Sequence, residues 1–205
     1  PIQSRLAGGQ RGHRPGIESP IGIFDSGVGG LTVLSEVMRL LPAEDVVYLA
    51  DTARVPYGGR SPNEILRINL EIMHFMVDSG VKMVIMACGT SSSIAYPVLR
   101  DRYHIPILGM VGPAVQLATE ASRNGKIGLI ATESTVAAGF FQNSLREKNQ
   151  GAEIIAVGCP LFVPMVEGGF LETPETERIA LEYLTPILQK GADTLILGCT
   201  HYPHL

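Results

Sequence analysis

The sequence predicts an α/β protein built from two similar parallel-sheet units that face each other across a cleft. Short apolar runs alternate with amphipathic helical patterns from Ile17 onward, which is typical of βαβ units. Residues 21–26 (IGIFDS) resemble residues 127–132 (IGLIAT), and this similarity indicates an internal duplication. Each block later ends in an apolar run followed by a cysteine, Cys88 in the first and Cys199 in the second.

Seven short apolar runs are the candidate strands. Helical patterns separate them along the chain, which favours parallel pairing. Ligands of open parallel sheets bind at the carboxyl ends of the strands, so we expect both cysteines to line one cleft. The candidate strands are residues 21–24, 46–49, 81–86, 105–109, 127–130, 153–157 and 194–197.

Two of the intervening helices have clear start and stop signals. Ser61, followed by proline and with Glu64 three residues later, predicts a capping box at the start of a helix that Gly80 closes. A second helix begins at Pro174. We expect Pro186 to kink or divide it, because proline lacks the N–H that continues the helical hydrogen-bond ladder.

The composition is that of an ordinary soluble globular protein. The chain has 205 residues, 45% of them hydrophobic, and a net charge of -4 with both signs interspersed. A nucleic-acid groove needs a clustered basic face, so no nucleic-acid partner is expected. No apolar stretch approaches the roughly 18 residues that span a bilayer, and the N-terminus lacks a signal-peptide core. Three sparse cysteines fit a reducing compartment, so we expect a cytoplasmic protein without a membrane partner.

The predicted domain organisation has three parts. Residues 1–16 carry three arginines and several glycines without apolar periodicity, and we expect them to form a flexible arm. Residues 17–111 are the first α/β unit, and residues 112–205 are the second. The connection lies near the Val111-Gly112-Pro113 segment.

The two strand-end cysteines predict proton-transfer chemistry. Small and hydroxylated residues follow each of them, and backbone amides at such a helix start favour a thiolate. Two thiols on opposite walls suggest removal of a proton from one face and delivery to the other, which is the chemistry of a racemase. Either cysteine alone is more often a small buried hydrophobe, and Cys159, next to Pro160, keeps that interpretation. A zinc site with His201 is disfavoured because neither CxxC nor HExxH spacing occurs, so no metal or cofactor is expected.

A glycine-rich segment, residues 25–30 (DSGVGG), follows the first predicted strand and precedes a helix. Its glycines let backbone amides approach a ligand closely, and the helix start attracts a carboxylate. A phosphate-binding loop is the rival interpretation. The segment has neither GxGxxG spacing nor a Lys-Ser/Thr ending, and Asp25 would repel phosphate, so a nucleotide is disfavoured.

Four segments together resemble the glutamate racemases. They are residues 25–33 (DSGVGGLTV), 50–58 (ADTARVPYG), 87–88 (AC) and 198–203 (GCTHYP), and the resemblance extends from about residue 21 to residue 205. It implies a cofactor-independent enzyme that interconverts L-glutamate and D-glutamate and supplies D-glutamate for peptidoglycan synthesis.

The resemblance also implies the residues of the site. Cys88 and Cys199 would be the catalytic pair, and Asp25, Glu167 and His201 would assist them. For conversion of L- to D-glutamate, Cys199 would abstract the proton and Cys88 would deliver one. Residues of both units would hold the substrate: Asp25, Ser26, Tyr57, Gly58, Gly89, Thr90, Thr132, Thr135, Thr200 and His201.

The chain departs from the family pattern at two points. The family usually has asparagine directly after the first cysteine, where this chain has Gly89, so we expect Gly89→Asn to tighten glutamate binding. The family chain also continues for several dozen residues beyond the second cysteine motif and completes the first unit. We therefore expect this sequence to be a fragment without that return segment, with apolar surface exposed on the first unit.

Two other functions stay open beside the racemisation of glutamate. One is a racemase of aspartate or another acidic amino acid, because no arginine is firmly tied to the side-chain carboxylate of the substrate. The other is a noncatalytic, truncated module that binds a ligand or regulates a partner. The assembly also stays open, with a homodimer as the alternative to a monomer.

Overall fold

The computed structural model describes residues 15–205, which fold into two parallel α/β units. Within this range, seven strands form two sheets, and nine helices connect and cover them. The fold class predicted from the sequence is confirmed. The predicted arm, residues 1–16, falls outside the described residues except for its last two.

Strands and helices alternate along the chain, and among residues 15–205 no helix is long and apolar enough to cross a bilayer. The strands are β1 (Ile21–Asp25), β2 (Val46–Ala50), β3 (Met83–Met86), β4 (Ile107–Gly109), β5 (Lys126–Ala131), β6 (Glu153–Gly158) and β7 (Thr194–Leu197). The helices are α1 (Leu31–Leu40), α2 (Pro62–Asp78), α3 (Gly89–Ile94), α4 (Tyr96–Leu99), α5 (Val111–Ala121), α6 (Glu133–Ala138), α7 (Phe140–Lys148), α8 (Phe162–Glu167) and α9 (Pro174–Gln189), with a 3₁₀ turn at Tyr202–His204.

The three strands of the second sheet repeat the order of the first three strands of the first sheet, which has a fourth strand at its edge. The strand order is β2-β1-β3-β4 in the first sheet and β6-β5-β7 in the second, and all neighbours are parallel. Strands β5, β6 and β7 thus correspond to β1, β2 and β3, which agrees with the duplication read from the sequence. Because Cys88 follows β3 and Cys199 follows β7, the two cysteines occupy equivalent places at the carboxyl edges of the two sheets.

The observed strands agree with the predicted ones to within two residues at each end. Strands β3 and β4 begin two residues later than predicted. The N–H of Val81 donates to the carbonyl of Met76 at the end of α2, at 3.5 Å, so this residue still belongs to the helix terminus. Before β4, Pro106 has no N–H to donate to a neighbouring strand.

Helix α2 begins with the predicted capping box. The Oγ of Ser61 accepts the N–H of Glu64 at 3.3 Å, and the Glu64 carboxylate accepts the N–H of Ser61 at 3.1 Å. Gly80 follows the helix with a φ of 71°, a conformation that suits glycine. The prediction for α9 is wrong in one respect, since Pro186 does not divide this helix. The buried Ile187 beside it still packs in the core of the second sheet and holds the last turn in place.

Apolar side chains cover both faces of each sheet. In the first unit, Ile68 of α2 packs with Val84 on one face, and Ile23 lies in a smaller cluster on the other face with α1. In the second unit, Val115 of α5 packs with Leu129. Helix α5 therefore packs against the second sheet, although it follows the last strand of the first. The predicted domain limits stay a prediction.

Loss of the α2 cap should destabilise the fold measurably. Ser61→Ala removes the acceptor for the Glu64 N–H, so we expect the free energy of unfolding to fall by about 1 kcal/mol in chemical denaturation followed by circular dichroism. Ser79→Ala is the matched control, because the Ser79 hydroxyl donates to the Phe75 carbonyl at the other end of the same helix and caps no N–H. Equal losses in the two variants would contradict a role for the cap.

Candidate active site

Both cysteines line one cavity of about 190 Å³ at the carboxyl edges of the two sheets. Cys88 lies directly before α3 and is 4% exposed, whereas Cys199 follows β7 and is half-buried. The first unit and the second unit therefore each contribute one thiol to the same space. The other lining residues are Ser26, Pro56, Tyr57, Gly58, Gly59, Thr90, Thr132, Glu133, Cys159, Pro160, Val163, Pro164 and His201.

Asp25, the last residue of β1, holds a buried carboxylate behind this cavity. Its Oδ2 accepts the N–H groups of Gly27 at 3.1 Å and of Gly30 at 3.0 Å. The hydroxyl of Thr200, from the second unit, donates to Asp25 Oδ1 at 3.3 Å. Burial raises the pKa of Asp25, while these N–H groups, the nearby His201 and the Thr200 hydroxyl oppose the rise. Asp25 is thus a carboxyl group that can carry a proton nearer neutral pH than usual.

Cys199 is joined to a histidine and a glutamate by a short chain of contacts. Its Sγ lies 3.8 Å from Nδ1 of His201, and Nε2 of the same ring lies 2.7 Å from Oε1 of Glu167. Because a carboxylate only accepts, Glu167 favours the tautomer in which Nε2 carries the hydrogen. The lone pair of Nδ1 then faces the thiol. His201 is thereby placed to take a proton from Cys199.

Burial holds both thiols in the protonated form. It raises the pKa of Cys88, and the charge of Asp25 adds to the rise. The backbone N–H and hydroxyl of Ser91 and the hydroxyl of Ser26 act in the opposite direction, because they donate to the thiolate. Burial also raises the pKa of Cys199, opposed by the backbone N–H of His201. Each cysteine therefore has its own polar neighbours that can ease its deprotonation.

Three threonine hydroxyls join the two units beside the thiols. Thr90 Oγ1 of α3 lies 2.9 Å from Thr132 Oγ1, which lies 2.8 Å from Thr135 Oγ1. The Thr135 hydroxyl also contacts that of Thr90 at 3.2 Å, which closes a triangle. All three residues are buried. The triangle fixes the start of α3 against the start of α6, so it sets how the two walls of the cavity meet.

Hydrogen bonds involving Asp51, Arg54 and Ser134 hold the segment around Tyr57, and the sequence motifs did not predict that these three residues belong to the site. The Tyr57 hydroxyl donates to Asp51 Oδ2 at 2.5 Å, and Arg54 Nε donates to the same oxygen at 2.7 Å. The hydroxyl of Ser134, at the start of α6, donates to the Gly58 carbonyl at 2.6 Å. Asp51 is buried, which is rare for a carboxylate without partners. In the sequence, the signal for this network was the acidic residue within the 50–58 motif.

The structure brings most of the predicted site residues to the cavity, but it places some of them elsewhere. Asp25, Glu167 and Thr135 lie behind the lining residues and contact them through hydrogen bonds. Gly89 and Thr200 line a neighbouring space on the other side of the cysteine segments. The predicted lining residues that do face the cavity are Ser26, Tyr57, Gly58, Cys88, Thr90, Thr132, Cys199 and His201.

Cys159 combines the predicted core position with a place at the cavity wall. It is fully buried, packs in the core of the second unit and lines the cavity as well. Burial raises the pKa of Cys159 to about 12, so its thiol stays protonated. Within residues 15–205, no three His, Cys, Asp or Glu side chains converge where they could hold a metal ion.

Comparisons with known proteins place the chain in a family of racemases. A family model described as Asp/Glu/Hydantoin racemase matches residues 21–205. A glutamate racemase of Gloeothece citriformis is 50% identical over 187 residues, which are 91% of this chain and 66% of that protein. The chain thus spans about two thirds of the length of the curated relatives that it matches.

Solved structures give the same result. A glutamate racemase isoform from Bacillus anthracis has a TM-score of 0.88 and 35% identity, over 94% of this chain and 71% of that one. The glutamate racemase from Francisella tularensis, solved in complex with D-glutamate, has a TM-score of 0.86 and 38% identity. That match covers 91% of this chain and 70% of the other. The agreement extends to both units.

The Ser91 hydroxyl should control the ionisation of Cys88. Within residues 15–205 it makes no other hydrogen bond, so it is free to donate to the thiolate. Ser91→Ala removes a group that lowers the pKa of Cys88, so the pKa should rise further and alkylation by iodoacetamide should begin at higher pH. Mass spectrometry of the Cys88 peptide across a pH series measures this shift.

Ser93→Ala is the matched control for that experiment. Ser93 lies on the same short helix, and its buried hydroxyl also lacks a partner within residues 15–205, but it is not among the groups that act on Cys88. Its alkylation profile should match that of the unaltered protein. An identical shift in both variants, or none in Ser91→Ala, would contradict this role of Ser91.

Proposed function

The chain belongs to the Asp/Glu/Hydantoin racemase family, and from this premise we propose that it interconverts L-glutamate and D-glutamate by a two-thiol proton transfer without a cofactor. The observation that carries the proposal is the pairing of Cys88 and Cys199 at equivalent strand ends, on one cavity, with separate polar assistants. Such a pair can take a proton on one side of a substrate carbon and return one on the other. The names of the relatives support glutamate as the substrate.

The cavity suits a small anionic amino acid held by neutral donors. Its lining residues, all within the described part of the chain, include no lysine and no arginine. Ser26, Thr90 and Thr132 supply hydroxyl groups instead. Hydrogen bonds from neutral groups to a carboxylate are charge-assisted and therefore stronger than neutral pairs. We assign the binding of the two substrate carboxylates to these hydroxyls and to backbone N–H groups of the neighbouring segments.

In the proposed reaction, the Cys199 thiol first passes its proton to Nδ1 of His201. Glu167 stabilises the imidazolium that results, because its carboxylate contacts Nε2 at 2.7 Å. The Cys199 thiolate then removes the α-proton of L-glutamate, and the negative charge spreads into the α-carboxylate. Cys88 delivers its proton to the opposite face of that carbon. In the reverse direction the two thiols exchange roles.

Asp25 serves the Cys88 side of the reaction. Burial raises the pKa of Asp25, so its carboxyl group can hold a proton in the starting state and pass that proton to the Cys88 thiolate once Cys88 has given up its own. The bonds from Gly27, Gly30 and Thr200 hold the carboxylate in place while it does so. After each turnover, the His201 imidazolium releases its proton to solvent and the Asp25 carboxylate takes one up, which restores the starting state.

The biological setting follows from the proposed reaction. D-glutamate is supplied for peptidoglycan synthesis, and hence for cell-wall biogenesis and cell shape, in the cytoplasm. The partner is the small-molecule substrate. We keep the homodimer as a further proposal, and gel filtration with light scattering measures it directly.

Loss of either thiol should stop racemisation. Cys88→Ser and Cys199→Ser should each lower turnover of D-glutamate at least about a hundredfold while the fold stays intact. Serine is a far weaker acid than cysteine, and general acid–base groups contribute roughly 10²–10⁴ in rate. Circular dichroism of the substrate follows the reaction, and Cys159→Ala is the matched third-thiol control. Near-normal turnover in either serine variant would remove that cysteine from the mechanism. If the unaltered protein turns over D-aspartate faster than D-glutamate, aspartate and not glutamate is the substrate.

Glu167 should act through the orientation of His201. Glu167→Gln keeps the size of the side chain but can present an N–H to Nε2, so it no longer fixes the tautomer that serves Cys199. We expect kcat/KM to fall roughly ten- to a hundredfold, the scale of a lost hydrogen bond to a charged group. The fall should be equal in both directions, because the enantiomers have equal free energy. Glu172→Gln, an exposed change in the next segment, is the control. Unchanged kcat/KM in Glu167→Gln would exclude this role.

A further inference from the structure

Aromatic side chains pack edge-on beside the segment that carries Cys199. The ring of Phe162, the first residue of α8, has its centroid 5.1 Å from that of Tyr202, at an interplanar angle of 82°. Phe162 also packs against Tyr183 of α9, at 5.1 Å and 81°. Phe162 and Tyr202 are both buried, and edge-on contacts between rings stabilise beyond the area that they bury. Tyr202 is thereby held against the start of α8.

Hydrogen bonds join Tyr202 to the backbone of two further segments. Its hydroxyl donates to the carbonyl of Cys159, shortly before α8, at 3.2 Å. Its N–H donates to the carbonyl of Cys199 at 3.3 Å. One residue therefore connects the segment that leads into α8 with the segment that carries the Cys199 thiol.

The other end of α8 carries Glu167. Its Oε1 lies 2.7 Å from Nε2 of His201, the residue directly before Tyr202. Two consecutive residues, His201 and Tyr202, thus contact the two ends of one helix of six residues. Because adjacent residues share a peptide bond, a displacement of Tyr202 at one end of α8 also moves His201 relative to Glu167 at the other.

The contact between His201 and the thiol tolerates little movement. Nδ1 of His201 lies 3.8 Å from Sγ of Cys199, which is a long distance for a hydrogen bond even to sulfur. On the side of the first unit, a β-carbon on Gly27 would lie 3.2 Å from Oε1 of Glu167 and 3.7 Å from Cε1 of His201. The first unit therefore encloses the pair on one side, and Tyr202 fixes its place on the side of the second unit.

We propose that Tyr202 is a positioning residue that holds His201 between Cys199 and Glu167, an inference that rests on the proposed two-thiol function. Tyr202 does not line the cavity of the thiols, so it acts through His201 and not on the substrate. Its ring carries this role, because the ring makes the contact with α8. The hydroxyl adds one neutral hydrogen bond. A side chain that keeps the ring should therefore keep the function.

The ionisation of Cys199 reports the position of His201. Burial raises the pKa of the Cys199 thiol, and the N–H of His201 opposes the rise. The charges of Cys88, Asp25 and Cys159 add to the rise, and all three groups are present in every variant below. Displacement of His201 removes an opposing group, so the thiolate should form at higher pH. Unfolding acts in the other direction, because it removes the burial that raises the pKa of both cavity thiols.

The test is Tyr202→Leu, with Tyr202→Phe as the conservative variant and Tyr183→Leu as the matched control. Alkylation by iodoacetamide across a pH series, with mass spectrometry of the Cys199 and Cys88 peptides, measures both thiols in one sample. In Tyr202→Leu, Cys199 should react about tenfold more slowly at a given pH, the scale of a lost hydrogen bond to a charged group, while Cys88 keeps its rate. Tyr202→Phe should keep both rates. Tyr183→Leu should keep them as well, because it removes a ring from Phe162 but leaves the bonds of Tyr202 in place.

A double variant tests whether Tyr202 and Glu167 support the same contact. Tyr202→Leu alone should lower kcat/KM for D-glutamate roughly ten- to a hundredfold. In the Glu167→Gln background the same change should cost far less, because the contact that both residues support is already lost. A purely structural loss would lower kcat/KM by the same factor in both backgrounds.

A second variant decides the question where Tyr202→Leu folds poorly, which faster alkylation of both thiols would reveal. Phe162→Leu removes the other half of the ring contact and leaves the hydrogen bonds of Tyr202 in place. It should slow the alkylation of Cys199 in the same way. Faster alkylation of both thiols in both variants would mean that the rings only hold the fold, and the inference would be wrong.

The inference would also be overturned by an unchanged Cys199 rate in a folded leucine variant at position 202, by an equal slowing in Tyr183→Leu, or by equal losses of kcat/KM in the two backgrounds. Failure of the proposed function looks different. If the unaltered protein exchanges the α-proton of neither glutamate enantiomer in D₂O, the two-thiol reaction is absent. Alkylation needs no turnover, so it still shows whether Tyr202 positions His201 beside Cys199.

Discussion

The geometry of the proposed site depends on the contact between the two backbone segments that carry the cysteines. Each thiol belongs to a separate sheet with its own core, so neither sheet alone determines the distance between them. The Gly89–Gly198 contact, the threonine triangle and the Thr200–Asp25 hydrogen bond connect the two units at this edge. Packing in each core is rigid, and these few bridging contacts therefore fix the cavity that the cysteines share.

The two halves of the site are equivalent in topology but differ in chemistry. Both cysteines follow corresponding strands, β3 and β7, and burial raises the pKa of both thiols. On the Cys199 side, a histidine held by Glu167 faces the sulfur. On the Cys88 side, hydroxyl and backbone donors and the buried carboxyl of Asp25 surround the thiol. The repeated strand order thus places two thiols at matching strand ends, and different side chains surround each of them.

Much of the fold was readable from the sequence, because hydrophobic periodicity, capping and duplication are local signals. The strand limits came within two residues, and the capping box at Ser61 is confirmed. Contacts between distant segments were not readable in the same way. The Asp51 network depends on the register of a loop, and the place of Gly89 depends on a carbonyl 109 residues further along the chain. The roles of Glu167 and His201 were expected only through family resemblance, and the contact between the two side chains was not expected at all.

The central claim, that two opposed thiols share one substrate carbon, is tested most directly by the course of racemisation in D₂O. D-glutamate with protium at the α-carbon should become L-glutamate that carries solvent deuterium, because the second thiol delivers a solvent-derived proton. The deuterated product reacts back more slowly, so the circular dichroism signal should pass through zero, reverse sign and then return to zero. A monotonic decay to zero, with protium retained in the product, would show that one group removes and returns the same proton and would contradict the two-thiol account.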